Sequence, residues 1–389
     1  MTAAVAQMRH SFFERYPPSD LLAVRLPITL VLFVPLLAPT LLPSTRLLSL
    51  AVTCCIWVMV ANGLHIIFSY TGQLSLAHTA LWGVGAYAGA LLLTHYGLPT
   101  PVLLVAAGSA GAIGAVLIGM PAFRTAGFSF AIITFAFAEI MLLVANNWTD
   151  LTGGSAGITI SLSDAPTALG PIEFDTFNHL DNFYYLTLGF AYLSIAGVWL
   201  IRQSFLGRNF IAIRENETLA KSAGINVYLY KLLAFGLSGF FAGVAGVFLL
   251  YHQGHIGPDR LSSFNALFSI QILLMILIGG RFSMLGPAIG AVIVRFGPEV
   301  VNYFLGDILT GSRTQIVFGC LLMLSVLTAP AGVAGQTKLG FTNFVTVLRH
   351  HHDRGRSWPV SAGIAFFRSF LPLPVRYDVD TSVEERPEP

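Results

Sequence analysis

Long apolar runs recur along most of this chain, and they constrain its fold more than any other feature. A helix needs about 20 mostly apolar residues to cross a bilayer. Ten stretches approach that length: roughly 21–42, 47–69, 74–95, 100–120, 126–145, 183–202, 231–252, 267–280, 284–304 and 314–329. Pro27, Pro35 and Pro39 predict a kink in the first, and Gly279-Gly280 ends the short eighth. Only 10% of the 389 residues are charged, where a soluble domain carries about 25%. The net charge of +2 gives no basic stripe for nucleic acid, and the charge is far too sparse for a disordered chain. These features exclude a soluble enzyme and predict an all-α polytopic membrane protein of about ten transmembrane helices. The first run has no small-residue cleavage site after it and reads as a retained helix rather than a signal peptide. The three cysteines, Cys54, Cys55 and Cys320, sit inside apolar runs and read as packing residues.

Charge by position gives an orientation. The 203–230 connection holds Arg208, Arg214 and Lys221 between Arg202 and Lys231, and is expected inside. The 146–182 connection holds five acidic residues and no Lys or Arg, and is expected outside. Counting outward from these two loops places both termini in the cytoplasm. Three parts follow: an N-terminus over 1–20, a transmembrane domain over 21–335 and a cytoplasmic extension over 336–389. The extension carries seven basic and six acidic residues and a triplet, His350 to His352, read as a solvated run. Phe341, Phe344, Val345 and Leu348 give it a short amphipathic segment suited to the membrane surface.

Polar residues inside apolar helices mark pathways or packing. The densest group is Tyr70-Thr71-Gly72-Gln73-Leu74-Ser75-Leu76-Ala77-His78, which runs on to Gly85, Tyr87 and Gly89. A break at Gly72 would free backbone N–H groups suited to a carboxylate. Gln73, Ser75 and His78 then either line a substrate path or hydrogen-bond between helices. Glu139 is a lone acid in an apolar run. It meets an ammonium group or a proton, or it pairs with an arginine such as Arg295. The segment Leu151-Thr152-Gly153-Gly154-Ser155-Ala156-Gly157 looks phosphate-loop-like, but none of the three lysines, Lys221, Lys231 and Lys338, follows a glycine. The chain therefore has no Walker-type nucleotide site. Ile213, Glu217 and Ala220 fall on one helical face, with Gly224 as its stop, so 207–226 offers a short charged helix to a soluble partner.

These motifs, in this order, resemble the permease subunits of branched-chain amino acid ABC importers, of the LivM type. Thr71 to Tyr87 matches T-G-Q-x-S-L-x-H-x-x-x-x-G-x-G-A-Y; Phe130 to Ile140 and Leu151 to Ile158 are similar to the family's F-A-I-x-T-L-x-F-x-E-I and L-T-G-G-x-x-G-I. Gly279, Gly280, Gly286 and Pro287 match its late G-G…G-P segment, although Phe282 stands where the family has glycine. The resemblance spans roughly 50–335. It implies an arrangement similar to the cobalamin-type importers, in the bacterial inner membrane. It also implies a second, LivH-type permease subunit, a periplasmic binding protein and two cytoplasmic ATPases that bind ATP and Mg. This chain itself would hold no cofactor or metal and would meet lipid but no nucleic acid. The resemblance puts Gly72, Gln73, Ser75, His78, Tyr87, Glu139, Thr152, Gly153 and Gly154 along the translocation pathway. It puts Arg208, Arg214, Glu217, Ala220 and Gly224 in the helix that couples to the ATPase. Permeases for urea and short amides share these motifs. An ion-coupled secondary transporter is the competing class, and Glu139 is the one well-buried acid it would have to use.

Overall fold

The computed structural model describes residues 35–41, 44–125, 127–160, 168–169, 172–173, 180–258 and 266–305, together with 319, 320, 323 and 332. All belong to one compact unit, Val24–Gly335. The expectations for 1–20, for the tail 336–389 with its His350–His352 triplet, and for most of the first and last apolar runs lie outside the described residues.

The helices are α1 (Ala38–Leu41), α2 (Thr45–His65), α3 (His78–Tyr96), α4 (Thr100–Ala122), α5 (Phe128–Asn147) and α6 (Thr149–Thr152). They continue as α7 (Leu180–Gln203), α8 (Phe205–Glu215), α9 (Glu217–Ser222), α10 (Val227–Gln253), α11 (Ala266–Gly279) and α12 (Gly286–Leu305). Each of the eight apolar runs between 47 and 304 has its helix. Five of them, α2 with the turn that follows it, α4, α5, α7 and α10, are long and apolar enough to cross a membrane. The only strands among the described residues are two-residue pairs, so the chain is an all-α polytopic membrane protein.

Local chemistry sets the helix ends. Ser44 caps α2 by accepting from the Leu47 N–H, and Asn226 caps α10 by accepting from Leu229 N at 3.1 Å. Gly97 and Gly254 close α3 and α10 in the left-handed conformation at φ 57° and 66°. Helix α2 ends in a π turn over Ile66–Tyr70.

Helix α10 forms the centre, against α2, α3 and α4. Its small residues allow this. Any Cβ on Gly243 would strike the Ala107 carbonyl of α4, and one on Gly239 would strike the Gly111 carbonyl. Gly85 of α3 lies against the Gly243 backbone in the same way. Lipid offers no hydrophobic drive for helices to associate, so close backbone approach supplies the contact.

The connections sort onto two ends. At one, Tyr228 Oη donates to the Met120 carbonyl at 3.0 Å, which places the start of α10 beside the end of α4. At the other, β1 (Ile158–Thr159), which follows α5, pairs antiparallel with β4 (His255–Ile256), which follows α10. A second pair, β2 (Ala168–Leu169) with β3 (Ile172–Glu173), lies between α6 and α7. Cys54 and Cys55 are buried as packing residues, but Cys320 is exposed, so packing does not account for it.

Candidate functional site

The charged 203–230 connection does not form the single helix expected from the sequence. Asn216 breaks it: its backbone is extended and its side chain accepts from Thr218 N at 2.9 Å and Leu219 N at 3.0 Å, which starts α9 anew. Ile213 of α8 and Ala220 of α9 still converge, both buried with Val227, but across a helix–turn–helix corner. Gly224 ends α9 at φ 84°, a conformation that a side chain would strain. Arg208 is exposed on α8, donates to the Gln203 carbonyl at 3.2 Å, and lies over Phe205.

Glu217 leaves that face and turns toward the bundle. Its Oε1 accepts from Lys231 Nζ at 2.5 Å and from Gln73 Nε2 at 3.4 Å. Lys231 is buried, so this pair neutralises a cation that would otherwise be costly at the base of α10. Arg214 reaches the same place. It is ion-paired with the neighbouring Glu215, and its Nη1 donates to the Ser69 carbonyl in the π turn at 2.8 Å. Gly72, at φ 76°, lies against the Arg214 side chain; a Cβ there would come within 3.2 Å of Arg214 Cγ. The charged connection is therefore fastened to the 66–73 stretch at three points.

The T-G-Q-L-S-L-A-H segment divides. Gly72 is exposed and Gln73 half-buried, both facing the charged connection. Ser75 and His78 are fully buried, in contacts between and within helices. Ser238 Oγ donates to the Gly63 carbonyl at 2.7 Å and lies 2.5 Å from His78 Nε2. The serine has one hydrogen, so His78 Nε2 is the donor to it. His78 is thus held in a hydrogen bond from α3 to α10. The backbone N–H groups expected free after the Gly72 break are taken. Leu76 N donates to Thr134 Oγ1 at 3.0 Å, Ala77 N to Ser75 Oγ at 3.3 Å and Thr79 N to Ser269 Oγ at 3.3 Å. This delays the start of α3 to His78, four residues past the expected boundary.

The three motif segments meet at an apolar cavity of about 270 Å³ between α3 and α5. Tyr87 comes from the first segment, Ala138 and Met141 from the second, and Leu151 and Thr152 from the third. Glu139 is half-buried on α5, next to Ala138, and has no ion-pair partner among the described residues. Arg295 is not paired with it; its guanidinium lies 5.3 Å from the Trp57 ring centroid on α2. The L-T-G-G stretch is a closed turn. The Thr152 hydroxyl lies 2.7 Å from the carbonyls of Ala145 and Trp148, and Gly154 N donates back to it at 3.2 Å. Gly153 and Gly154, at φ 75° and 59°, let the turn close; a Cβ on Gly153 would strike the Gly157 carbonyl.

Sequence reasoning noted Lys231 only as a flanking charge and missed Ser69, Thr134, Ser238 and Ser269. Hydroxyls spaced among apolar residues were the available signal, since each is costly in lipid unless bonded.

Comparison with known proteins gives this arrangement a family. The model of the branched-chain amino acid transport system / permease component family matches residues 46–326. The chain is 29% identical over 309 residues to the high-affinity branched-chain amino acid transport system permease protein LivM of Salmonella typhimurium, covering 74% of this chain and 70% of that one. It is also 29% identical to LivM of Escherichia coli K12, over 76% and 71% of the two chains. Against LivH of the same strain it is 26% identical, over 73% of this chain and 92% of that one. No solved structure matches it. A multi-pass helical bundle that carries every motif segment inside the matched region belongs to the branched-chain amino acid transport permease family.

Proposed function

We propose that this chain is one of two permease subunits of an ATP-driven importer that moves branched-chain aliphatic amino acids inward across the bacterial cytoplasmic membrane. A LivH-type subunit completes the pathway, a periplasmic binding protein delivers the substrate, and two cytoplasmic ATPases bind ATP and Mg. The chain supplies no nucleotide site. Both termini and the α8–α9 corner lie inside, and the 146–182 connection lies outside. The pathway runs past α3 and α5, by Tyr87, Glu139 and the Thr152–Gly154 turn, and reaches the inner end at Gly72 and Gln73; Ser75 and His78 support it from within the bundle. The apolar wall of the cavity favours an aliphatic side chain over urea, since urea would leave its hydrogen bonds unmade there.

The observation that carries this reading is the fastening of the α8–α9 corner to the 66–73 stretch through Gln73–Glu217–Lys231 and Arg214–Ser69. An ATPase docked on Arg208, Arg214, Glu217, Ala220 and Gly224 would pull directly on the base of the pathway. A secondary transporter needs no such joint. The test is Glu217→Lys in the assembled importer. The variant is expected to insert in the membrane normally while leucine uptake falls about tenfold or more and the binding protein no longer stimulates ATP hydrolysis, because the substitution sets two cations against each other at the joint. Wild-type stimulation in the variant would remove Glu217 from this role. Binding of leucine, isoleucine, valine and urea to the partner binding protein decides the substrate.

A further inference from the structure

At the expected inner end, the Gly280–Leu285 connection carries two features that amino acid transport does not use. Phe282 stands where the family pattern has glycine, and its ring is 64% exposed. The guanidinium of Arg214 lies 5.0 Å from the centroid of that ring and the guanidinium of Arg281 lies 5.1 Å from it. Arg281 also lies 4.7 Å from the Phe68 ring, on the π turn. One phenyl ring thus gathers two cations that repel each other.

The charge is not balanced locally. Arg281 has no acidic partner among the described residues, and its Nε–H is buried with no acceptor. Burial and the nearby Arg214 both push its pKa down from the ordinary guanidinium value. Arg214 spends its hydrogen bonds on Glu215 and the Ser69 carbonyl. Two neighbouring guanidinium groups, one with an unused buried N–H, suit a phosphate oxygen, which accepts from planar N–H donors in pairs. The exposed ring between them suits the acyl–glycerol boundary beneath a headgroup better than it suits water or an acidic protein surface. Basic pockets at the inner membrane face take anionic headgroups by this chemistry.

We propose that Arg281 and Arg214, gathered by Phe282, form a site for a phosphate group supplied by the headgroup of an anionic phospholipid of the inner leaflet. The site is separate from the translocation pathway and stands whichever substrate the pathway carries.

Native mass spectrometry of the purified full-length chain tests it, with phosphatidylglycerol and phosphatidylcholine offered together in detergent. The wild type is expected to retain phosphatidylglycerol preferentially. Arg281→Gln should lower that preference about fivefold, the worth of one interfacial cation. Phe282→Gly, which restores the family's residue and keeps both charges, should lower it about threefold. Arg281→Lys should retain most of it. A wild-type preference in Arg281→Gln overturns the site. If millimolar inorganic phosphate displaces the lipid and protects the chain from thermal unfolding as well as phosphatidylglycerol does, the lipid source is overturned in favour of a free anion. Should Arg281→Gln fail to accumulate, the wild type still decides, because equal retention of the two lipids contradicts the proposal.

Discussion

Helices α5 and α10 are both apolar along their whole length, yet one is the margin of the molecule and the other its centre. Over their most apolar windows, 72% of α10 is buried and only 28% of α5. Hydropathy does not separate them. Residue size does. Helix α10 carries Gly236, Gly239, Gly243 and Gly246, and its neighbours approach to backbone contact there. Helix α5 instead presents Phe128, Ile132, Phe135, Ile140 and Leu143 outward. In a bilayer, a large apolar side chain has nothing to gain by moving from lipid to protein, while a small one lets two backbones touch. The inside of a membrane bundle is therefore marked by smallness rather than by greasiness.

That contrast can be broken most forcefully at Gly243. Gly243→Leu places a side chain against the carbonyl of Ala107 and the Gly108 backbone, neither of which can yield. It is expected to cost about 3 kcal/mol or more, seen as a lowered thermal midpoint or loss of monodisperse protein in detergent. An unchanged midpoint would mean that α10 is not the centre. A smaller effect is expected at His78→Ala, which removes the bond to Ser238 and leaves a void between α3 and α10. About 2 kcal/mol should be lost, and His78→Gln should recover part of it by restoring a donor. The smallest effect belongs to α5. Leu143 is 59% exposed, so Leu143→Ala is expected to change the stability of the isolated chain by no more than about 0.5 kcal/mol. A larger loss in the isolated chain would show that its face is already packed.

The extent to which the sequence foretold this structure follows from how local each feature is. Apolar length is local, and it located the eight helices between 47 and 304 to within a few residues. The start of α3 was misplaced because it depends on Thr134, 58 residues downstream of the N–H group it receives. The α8–α9 corner was read as one helix because Asn216 was taken as a neutral position, although Asn is a strong helix-starting residue. The motifs located the candidate site as segments, but its contacts were out of reach. Gln73 and Glu217 are 144 residues apart, and His78 and Ser238 are 160 apart. Glu139 and Arg295 show the limit most plainly. Opposite charges inside apolar runs invite pairing, but helix rotation turns Arg295 to Trp57 and leaves Glu139 on the far side of α3 from it.

The π turn at Ile66–Tyr70 bears on which changes of chain length the protein tolerates. A π turn is an α-helix holding one surplus residue. Deleting any residue from 66–70 would let the helix close into regular geometry without a gap, and the deletion would pass as structurally silent within α2. Everything after it would rotate by about 100° about the helix axis. Gly72 would no longer face Arg214, and Gln73 would lose Glu217. A single-residue deletion in the most apolar part of the helix would thus be more damaging to the 66–73 joint than most substitutions of the residues that make it.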